Sequence, residues 1–207
     1  MAKVMKNMAK KNYHHGDLKS ALIEAGLEIL ESEGLESLSM RAIAARVGVS
    51  HTAPKNHFDD YDGLLAAIAA EGFKRHAAEM RKGVEGMAKG RERLDAAALG
   101  YVRFAGDNPS LFRLMFSPRL NEKAPEELRN AASRSYQVLE EISDGLDWPR
   151  TEISGCAEFE PMRTEQMLWA FVHGYASLIN EGRLPRLQNG EPIFDVLDIM
   201  PRFEYSK

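Results

Sequence analysis

Apolar residues recur at spacings of three and four along almost the whole chain, and no stretch sustains the every-second-residue alternation of β-branched side chains that marks a half-buried strand. Such a chain has one economical way to bury its apolar stripes, which is helix against helix, so an all-α fold is expected. Apolar side chains at 44% and charged ones at 28% are enough for a sizeable core and leave little room for extended disorder.

Glycine, proline and capping residues divide the pattern into segments. The first helix is expected from Asp17 as N-cap through Leu18, Leu22, Ile23, Ala25, Leu27, Ile29 and Leu30, stopping at Gly34 with Glu24, Glu28 and Glu31 on its outer face. Ser39 caps a short helix over 40–47, in which Ile43, Ala44 and Val47 face inward before Gly48 halts it. Ser50 caps the next, 51–57, with Pro54 within or just beyond its first turn, where the missing amide costs least, and Phe58 as a buried anchor. Asp59 and Asp60 lead into a long helix from Leu64 to about Gly86, and further helices are expected near 92–106, 109–117, 125–146, 162–182 and 192–200. The stretch 145–161 lacks periodicity and reads as an exposed connection.

Gly83, Gly86 and Gly90 thin out the apolar pattern, which puts the boundary between a small N-terminal unit and a larger helical domain near 83–92. The expected organisation is an arm at 1–15, a compact three-helix unit at 16–62, a connecting helix at 63–90 and a larger bundle at 91–207. The arm carries Lys3, Lys6, Lys10 and Lys11 and no acid, which suits either a solubilising tail or a segment that follows a nucleic-acid backbone.

Charge, cysteine and motif content exclude several classes. The net charge of −4 shows that the molecule as a whole is no polycation. Cys156 is the only cysteine, so neither an intrachain disulfide nor a cysteine-based zinc site is available, in keeping with a reducing compartment. No apolar run approaches the ~18–20 residues of a membrane span, and the N-terminus has no apolar core followed by a cleavage site, so a cytoplasmic address with no membrane partner is expected. There is no glycine-rich phosphate loop, nucleophile elbow or metal constellation, so neither enzyme activity, nor a cofactor, nor a metal is expected. His14 and His15 are adjacent and would point apart in an extended segment.

The stretch "MRAIAARVGVSHTAPKNHF", residues 40–58, carries the most function. A helix, a three-residue turn containing glycine and a second short helix form a helix-turn-helix, whose second helix can enter the major groove of DNA. Gly48 supplies the positive φ, Val49 plugs the space between the helices and Ser50 restarts the hydrogen bonding. The second helix exposes His51, Thr52, Lys55 and Asn56 while Val49, Ala53 and Phe58 turn inward; Asn can read adenine, Thr a thymine methyl or a phosphate, and Lys a phosphate or guanine. The same pattern also fits a solvated face on a purely structural helix. His57, beside Phe58, reads as an interface histidine with its hydrogen bonds satisfied.

Residues 14–73, "HHGDLKSALIEAGLEILESEGLESLSMRAIAARVGVSHTAPKNHFDDYDGLLAAIAAEGF", resemble the DNA-binding block of the tetracycline-repressor (TetR) family of bacterial transcriptional regulators in order, spacing and residue type. Farther on, "LWAFVHGYASL", 168–178, resembles a Trp-His-Gly motif found in a subgroup of that family's ligand domains. The resemblance implies that Ser39, Arg41 and Lys55 contact phosphates and that His51, Thr52 and Asn56 meet base edges, with Ser50 and Tyr61 at the borders of the same surface. Two positions depart from the family pattern: Lys55 stands where many members have Tyr, and Tyr61 where many have Lys, which exchanges a cation for a hydroxyl.

The same resemblance implies that the larger domain holds a homodimer together and binds a small effector, so that two recognition elements meet a palindromic operator. An apolar pocket is expected from Tyr101, Phe104, Phe112, Met115 and Phe116, with Trp169 as a stacking plane and His173 as a titratable group one turn away. A dimer face is expected from Phe171, Tyr175, Leu178 and Ile179 together with Phe194 and Leu197 of the last helix. Each of these groups would serve equally as plain core. The alternatives to a regulator are a family relative that has lost DNA binding and acts through protein contacts and, less in keeping with the motifs, an enzyme.

Overall fold

The computed structural model describes residues 18–121, 124–147, 160–201 and 204–205. The basic arm with its four lysines, His14, His15, the expected Asp17 cap, Cys156 and most of the 145–161 connection lie outside the described residues. The described chain is helical apart from turns and a two-residue antiparallel pair in which Leu146–Asp147 (β1) meets Glu204–Tyr205 (β2).

Helix α1, Leu18–Glu33, buries Leu22, Ile29 and Leu30 and leaves Glu24, Glu28 and Glu31 in solvent, as its sequence pattern requires. Gly34, at φ 82°, ends it. After a 3-10 turn at Leu35–Ser37, Ser39 Oγ accepts the Ala42 amide at 3.1 Å and starts α2, Met40–Val47. Gly48 closes α2 at φ 80° and donates to the Ala44 carbonyl at 3.0 Å, a backbone reversal that a residue with a Cβ adopts only at a cost of ~1–2 kcal/mol.

The element after this reversal is shorter than its sequence suggests. In place of a helix over 51–57 there is a single 3-10 turn, Ala53–Asn56, and the reason is Pro54. With Ser50 as the cap, residue 54 should give the first i→i−4 amide hydrogen bond to the Ser50 carbonyl, and proline has no amide. The Ala53 amide takes that carbonyl at 3.0 Å instead, which is the tighter 3-10 geometry. Phe58 then returns to the core, its amide donating to the Pro54 carbonyl at 3.0 Å.

Helix α3, Tyr61–Val84, is the long connecting element and spans about 36 Å at 1.5 Å per residue. It starts three residues earlier than expected because Asp60 caps it, accepting the Gly63 amide at 2.8 Å. From Leu64 to Ala70 every residue is buried, since α1 covers one side and the helices Pro109–Met115 and Glu126–Ser143 others. The remaining elements are α4 (Arg91–Asp107), α5 (Pro109–Met115), α6 (Pro118–Asn121), α7 (Glu126–Ser143), α8 (Glu160–Asn180) and α9 (Val196–Ile199). α3 lies between α4 and α7, and α8 packs on α4 and α7. Gly100 permits the α3–α4 crossing, because a Cβ there would stand 3.0 Å from the Glu79 carbonyl oxygen.

The last helix is the second correction. An expected helix over 192–200 is one turn, α9, held by a capping box between Asp195 and Asp198. Before it the chain is extended and bonded to its own neighbourhood, with the Ile193 amide donating to the Pro185 carbonyl at 3.1 Å and a bridge between Arg186 and Pro192. Apolar side chains give residues 192–194 a helical look, but the Ile193 amide pairs with Pro185 and the Phe194 carbonyl accepts the Tyr175 hydroxyl, so neither group is free for a helix. One continuous core joins the N-terminal unit to the larger bundle through α3.

Candidate nucleic-acid interface and ligand cavity

The turn at 53–56 divides its side chains by side. Pro54 and Phe58 are buried, whereas His51, Thr52, Lys55 and Asn56 are exposed. Ser50 Oγ and Thr52 Oγ1 lie 3.0 Å apart and fix each other. Lys55 makes no ion pair among the described residues, and neither does Arg41, exposed in the first turn of α2. Arg46 is committed elsewhere, to Glu28 and Glu33 of α1. Ser39 is exposed while its hydroxyl caps α2. Lys55, His51, Asn56 and the Ser50–Thr52 hydroxyl pair are therefore exposed around a backbone turn held by buried neighbours, with Arg41 exposed at the start of α2, a set able to meet both phosphates and base edges.

Two residues sit differently from expectation. The His57 side chain is exposed and has no hydrogen bond among the described residues, while its amide donates to the Pro54 carbonyl at 3.0 Å; the turn ends at Asn56 and it is Phe58 that re-enters the core. Tyr61 is half-buried and its hydroxyl donates to the Leu38 carbonyl at 2.7 Å, so that donor is already used inside the protein. The Arg119 guanidinium lies over its ring, 5.6 Å from the centroid, and pairs with Asp62 at 2.5 Å.

Between α3, α4, α5, α7 and α8 lies a cavity of about 700 Å³. Five of the residues expected to form a pocket line it: Tyr101, Met115, Phe116, Trp169 and His173. Phe104 stands behind the wall, its ring 5.1 Å from that of His76, and Phe112 backs His173 at 5.2 Å and lines a smaller crevice of about 190 Å³. The sequence reading missed the α3 and α7 walls, with Phe73, His76, Met80, Ser135, Tyr136 and Leu139. A single histidine on an apolar helix resembles a core residue; only the packing of α7 against α3 brings Ser135 to it.

The polar groups of this cavity work in pairs. His76 Nδ1 is 2.9 Å from Ser135 Oγ, and Tyr101 Oη is 2.8 Å from His173 Nδ1. Burial, with a smaller contribution from the His173 charge, pushes His76 down to about 3, and burial lowers His173 as well. Burial raises the Tyr101 phenol far above its usual range, against a smaller opposing effect of Trp169. All three groups are therefore uncharged near neutrality. A second concavity of about 770 Å³ is lined by Lys74, Arg81, Lys82 and Arg134, all exposed; it is an open cleft, whereas the 700 Å³ cavity has the apolar walls and few polar groups of a ligand site.

The His76 shift makes stability depend on pH. In the unfolded chain this imidazole takes a proton below about 6.5, while in the folded protein it stays neutral down to about 3, so acid favours the unfolded state throughout that interval. Between pH 6.5 and pH 5 the loss from this group alone is expected to be ~2 kcal/mol. Denaturant melts of the protein and of His76→Phe at the two pH values measure it: the variant should lose correspondingly less stability on acidification, and equal losses would refute the assignment.

The outward side of α8 and the turn after it carry the remaining apolar surface. Leu178 is 42% and Phe194 60% exposed, with Ile193 and Ile199 also open to solvent. Phe171, Ile179 and Leu197 are half-buried. Tyr175 is buried within its own chain, where its hydroxyl donates to the Phe194 carbonyl at 2.8 Å. Among the described residues no helix is long and apolar enough to cross a membrane, and no group of three or more His, Cys, Asp or Glu is placed to hold a metal ion.

Comparison with known proteins gives two matches to family models. Residues 22–68 match the family described as bacterial regulatory proteins, tetR family, and residues 94–198 match the tetracyclin repressor-like C-terminal domain. Among solved structures, a protein of unknown function from Rhodococcus sp. RHA1 is 31% identical, with a TM-score of 0.68 over 84% of this chain and 89% of that one. A TetR family transcription regulator from Marinobacter aquaeolei VT8 shares the fold at 19% identity and a TM-score of 0.56, over 83% and 87% of the two chains. A bacterial regulatory protein in the tetR family from Rhodococcus RHA1 does so at 20% and 0.54, over 78% and 82%.

Proposed function

Because the chain belongs to the tetR family of bacterial regulatory proteins, and is a transcriptional regulator with a helix-turn-helix DNA-binding unit, we propose that it is a repressor that binds a palindromic operator as a homodimer and responds to a small, largely apolar effector. The observation that carries this reading is the turn at 53–56, whose polar edge of His51, Thr52, Lys55 and Asn56 is exposed while Pro54 and Phe58 hold it from within. Two such edges on one two-fold axis would meet half-sites ~34–36 Å apart or a multiple of that. The apolar side chains left open on α8 and around Phe194 supply the surface for the axis.

Effector control has a physical route. Phe116 walls the cavity and α6 follows it directly, carrying Arg119 onto Tyr61 and Asp62 at the start of α3. Tyr61 in turn holds the Leu38 carbonyl, one residue before the cap of α2. An effector that displaces Phe116 shifts the helix-turn-helix through these contacts, and so favours one spacing of the paired recognition turns over another. The Arg119–Asp62 pair is exposed and therefore worth at most ~1 kcal/mol. Arg119→Ala should thus reduce the effector's influence on operator affinity by roughly 2- to 5-fold; an undiminished response, measured by titrating operator binding with and without effector, would remove Arg119 from the route.

The reading is tested by DNA binding as a function of salt, using duplex from upstream of the gene. Affinity should fall steeply with salt, and Lys55→Ala should weaken all sequences alike while lowering the logarithmic salt slope by about 0.9 per protomer. Asn56→Ala should instead relax preference at one position of each half-site, at ~1–3 kcal/mol of discrimination. Equal, uniform losses from both changes would contradict the division of roles. Weak retention indifferent to sequence would favour a relative that acts through protein contacts.

A further inference from the structure

His76 presents a polar atom that the surrounding protein leaves unanswered. The residue is 2% exposed, its Nδ1 is engaged by Ser135, and its Nε2 is buried with no hydrogen-bond partner among the described residues. An atom of this kind costs stability unless something meets it, and both His76 and Ser135 line the 700 Å³ cavity. The other polar pair in the cavity, Tyr101 with His173, is already satisfied between its own members.

The electrostatics of the lining exclude charged occupants. The two imidazoles are neutral and the phenol is protonated near neutrality, so none of them compensates an anion. Among the described residues Arg129 is the only permanent cation of the lining, and it is exposed and donates to the Ala124 carbonyl. Among the described residues no carboxylate lines the cavity to meet a cation. The hydrogen-bonding character required at Nε2 follows from the tautomer. If Ser135 donates to Nδ1, Nε2 carries the hydrogen and needs an acceptor; if Nδ1 donates to Ser135, Nε2 needs a donor. A hydroxyl answers both cases, whereas an ether or a ketone answers one. The walls favour a flat ring, since Phe116, Trp169 and Tyr136 all line the space, with the Trp169 ring tilted to that of Phe116 at 6.4 Å and edge-on to that of Tyr136 at 6.1 Å.

We infer that the cavity takes an uncharged aromatic molecule bearing one hydroxyl, with that hydroxyl bonded to His76 Nε2 and the ring among Phe116, Trp169 and Tyr136. The inference rests on the effector site proposed above and narrows its chemistry. Equilibrium dialysis of the full chain with 2-naphthol, naphthalene and 2-naphthoate tests it. 2-Naphthol should bind about tenfold more tightly than naphthalene, and 2-naphthoate more weakly than either. In His76→Leu/Ser135→Ala, which removes the polar pair together so that no hydroxyl is orphaned, the preference of 2-naphthol over naphthalene should collapse to within about twofold, with a thermal melt confirming that the variant is folded. Equal binding of 2-naphthol and naphthalene by the unaltered protein, or a preference that survives in the folded variant, overturns the inference while leaving an apolar effector site in place. Absence of binding by all three overturns the effector site itself, and with it the inference; operator binding, measured separately, reports on the DNA reading.

Discussion

Phe58→Ala is expected to destabilise the protein by ~3–5 kcal/mol and to abolish sequence-specific DNA binding. The side chain is 5% exposed and belongs to the hydrophobic core, two residues after the recognition turn ends. Its removal leaves a cavity at the point where the turn is attached and leaves the buried Pro54 ring as the other anchor, whose missing amide deprives the turn of the first helical hydrogen bond. Against a usual total stability of ~5–15 kcal/mol, the loss is large enough to see directly in a denaturant melt. Phe58→Leu keeps most of the volume and should cost less than ~1.5 kcal/mol, with operator binding retained. An alanine variant that binds operator as the unaltered protein does would show that the turn is positioned by something other than this anchor.

Leu178→Glu combined with Phe194→Glu is expected to give a folded monomer whose operator affinity is lower by about 10²–10⁴-fold. Both side chains are exposed, so the change leaves the chain's own core intact, and the Phe194 backbone is tied to α8 by the bond its carbonyl accepts from Tyr175, one turn before Leu178. Burying two carboxylates in an apolar contact without partners opposes association strongly. Once the protomers part, each recognition turn binds its half-site alone and the advantage of linked binding is lost. Sedimentation separates the outcomes: a twofold mass that persists in the variant places the dimer face elsewhere, and a monomer that keeps full operator affinity removes the need for a dimer.

Much of the fold can be read from the sequence because its signals are local. Gly34, Ser39 and Gly48 set boundaries through φ preference and capping, and the apolar spacing of α1 and α2 states which side faces inward. The misreadings have local chemistry as well. Pro54 reads as lying where a missing amide costs little, yet with Ser50 as the cap it occupies the position of the first donor, so the recognition element is a turn and His57 stays outside. Pro192, Ile193 and Phe194 carry apolar side chains outside any helix, and only the pairing of Ile193 with Pro185 reveals that. β1 and β2 are too short to produce a periodic signal at all.

The cavity was half legible for a different reason. Aromatic residues near 101–116 and 169–173 announce themselves by type, whereas Ser135 and His76 matter only through a contact across 59 positions of sequence. The same holds for Tyr61, whose bond to the Leu38 carbonyl and stacking under Arg119 convert an apparent surface residue into a strut between the cavity wall and α2.

Selection of binding sites from a pool of random duplexes, followed by sequencing, tests the paired-turn regulator most directly. Enrichment of an inverted repeat whose half-site centres lie one helical turn or a multiple apart is expected, with the preference at one position per half-site lost in Asn56→Ala. A pool that gains no motif, or a single unpaired site bound with undiminished affinity by the monomeric variant, contradicts it.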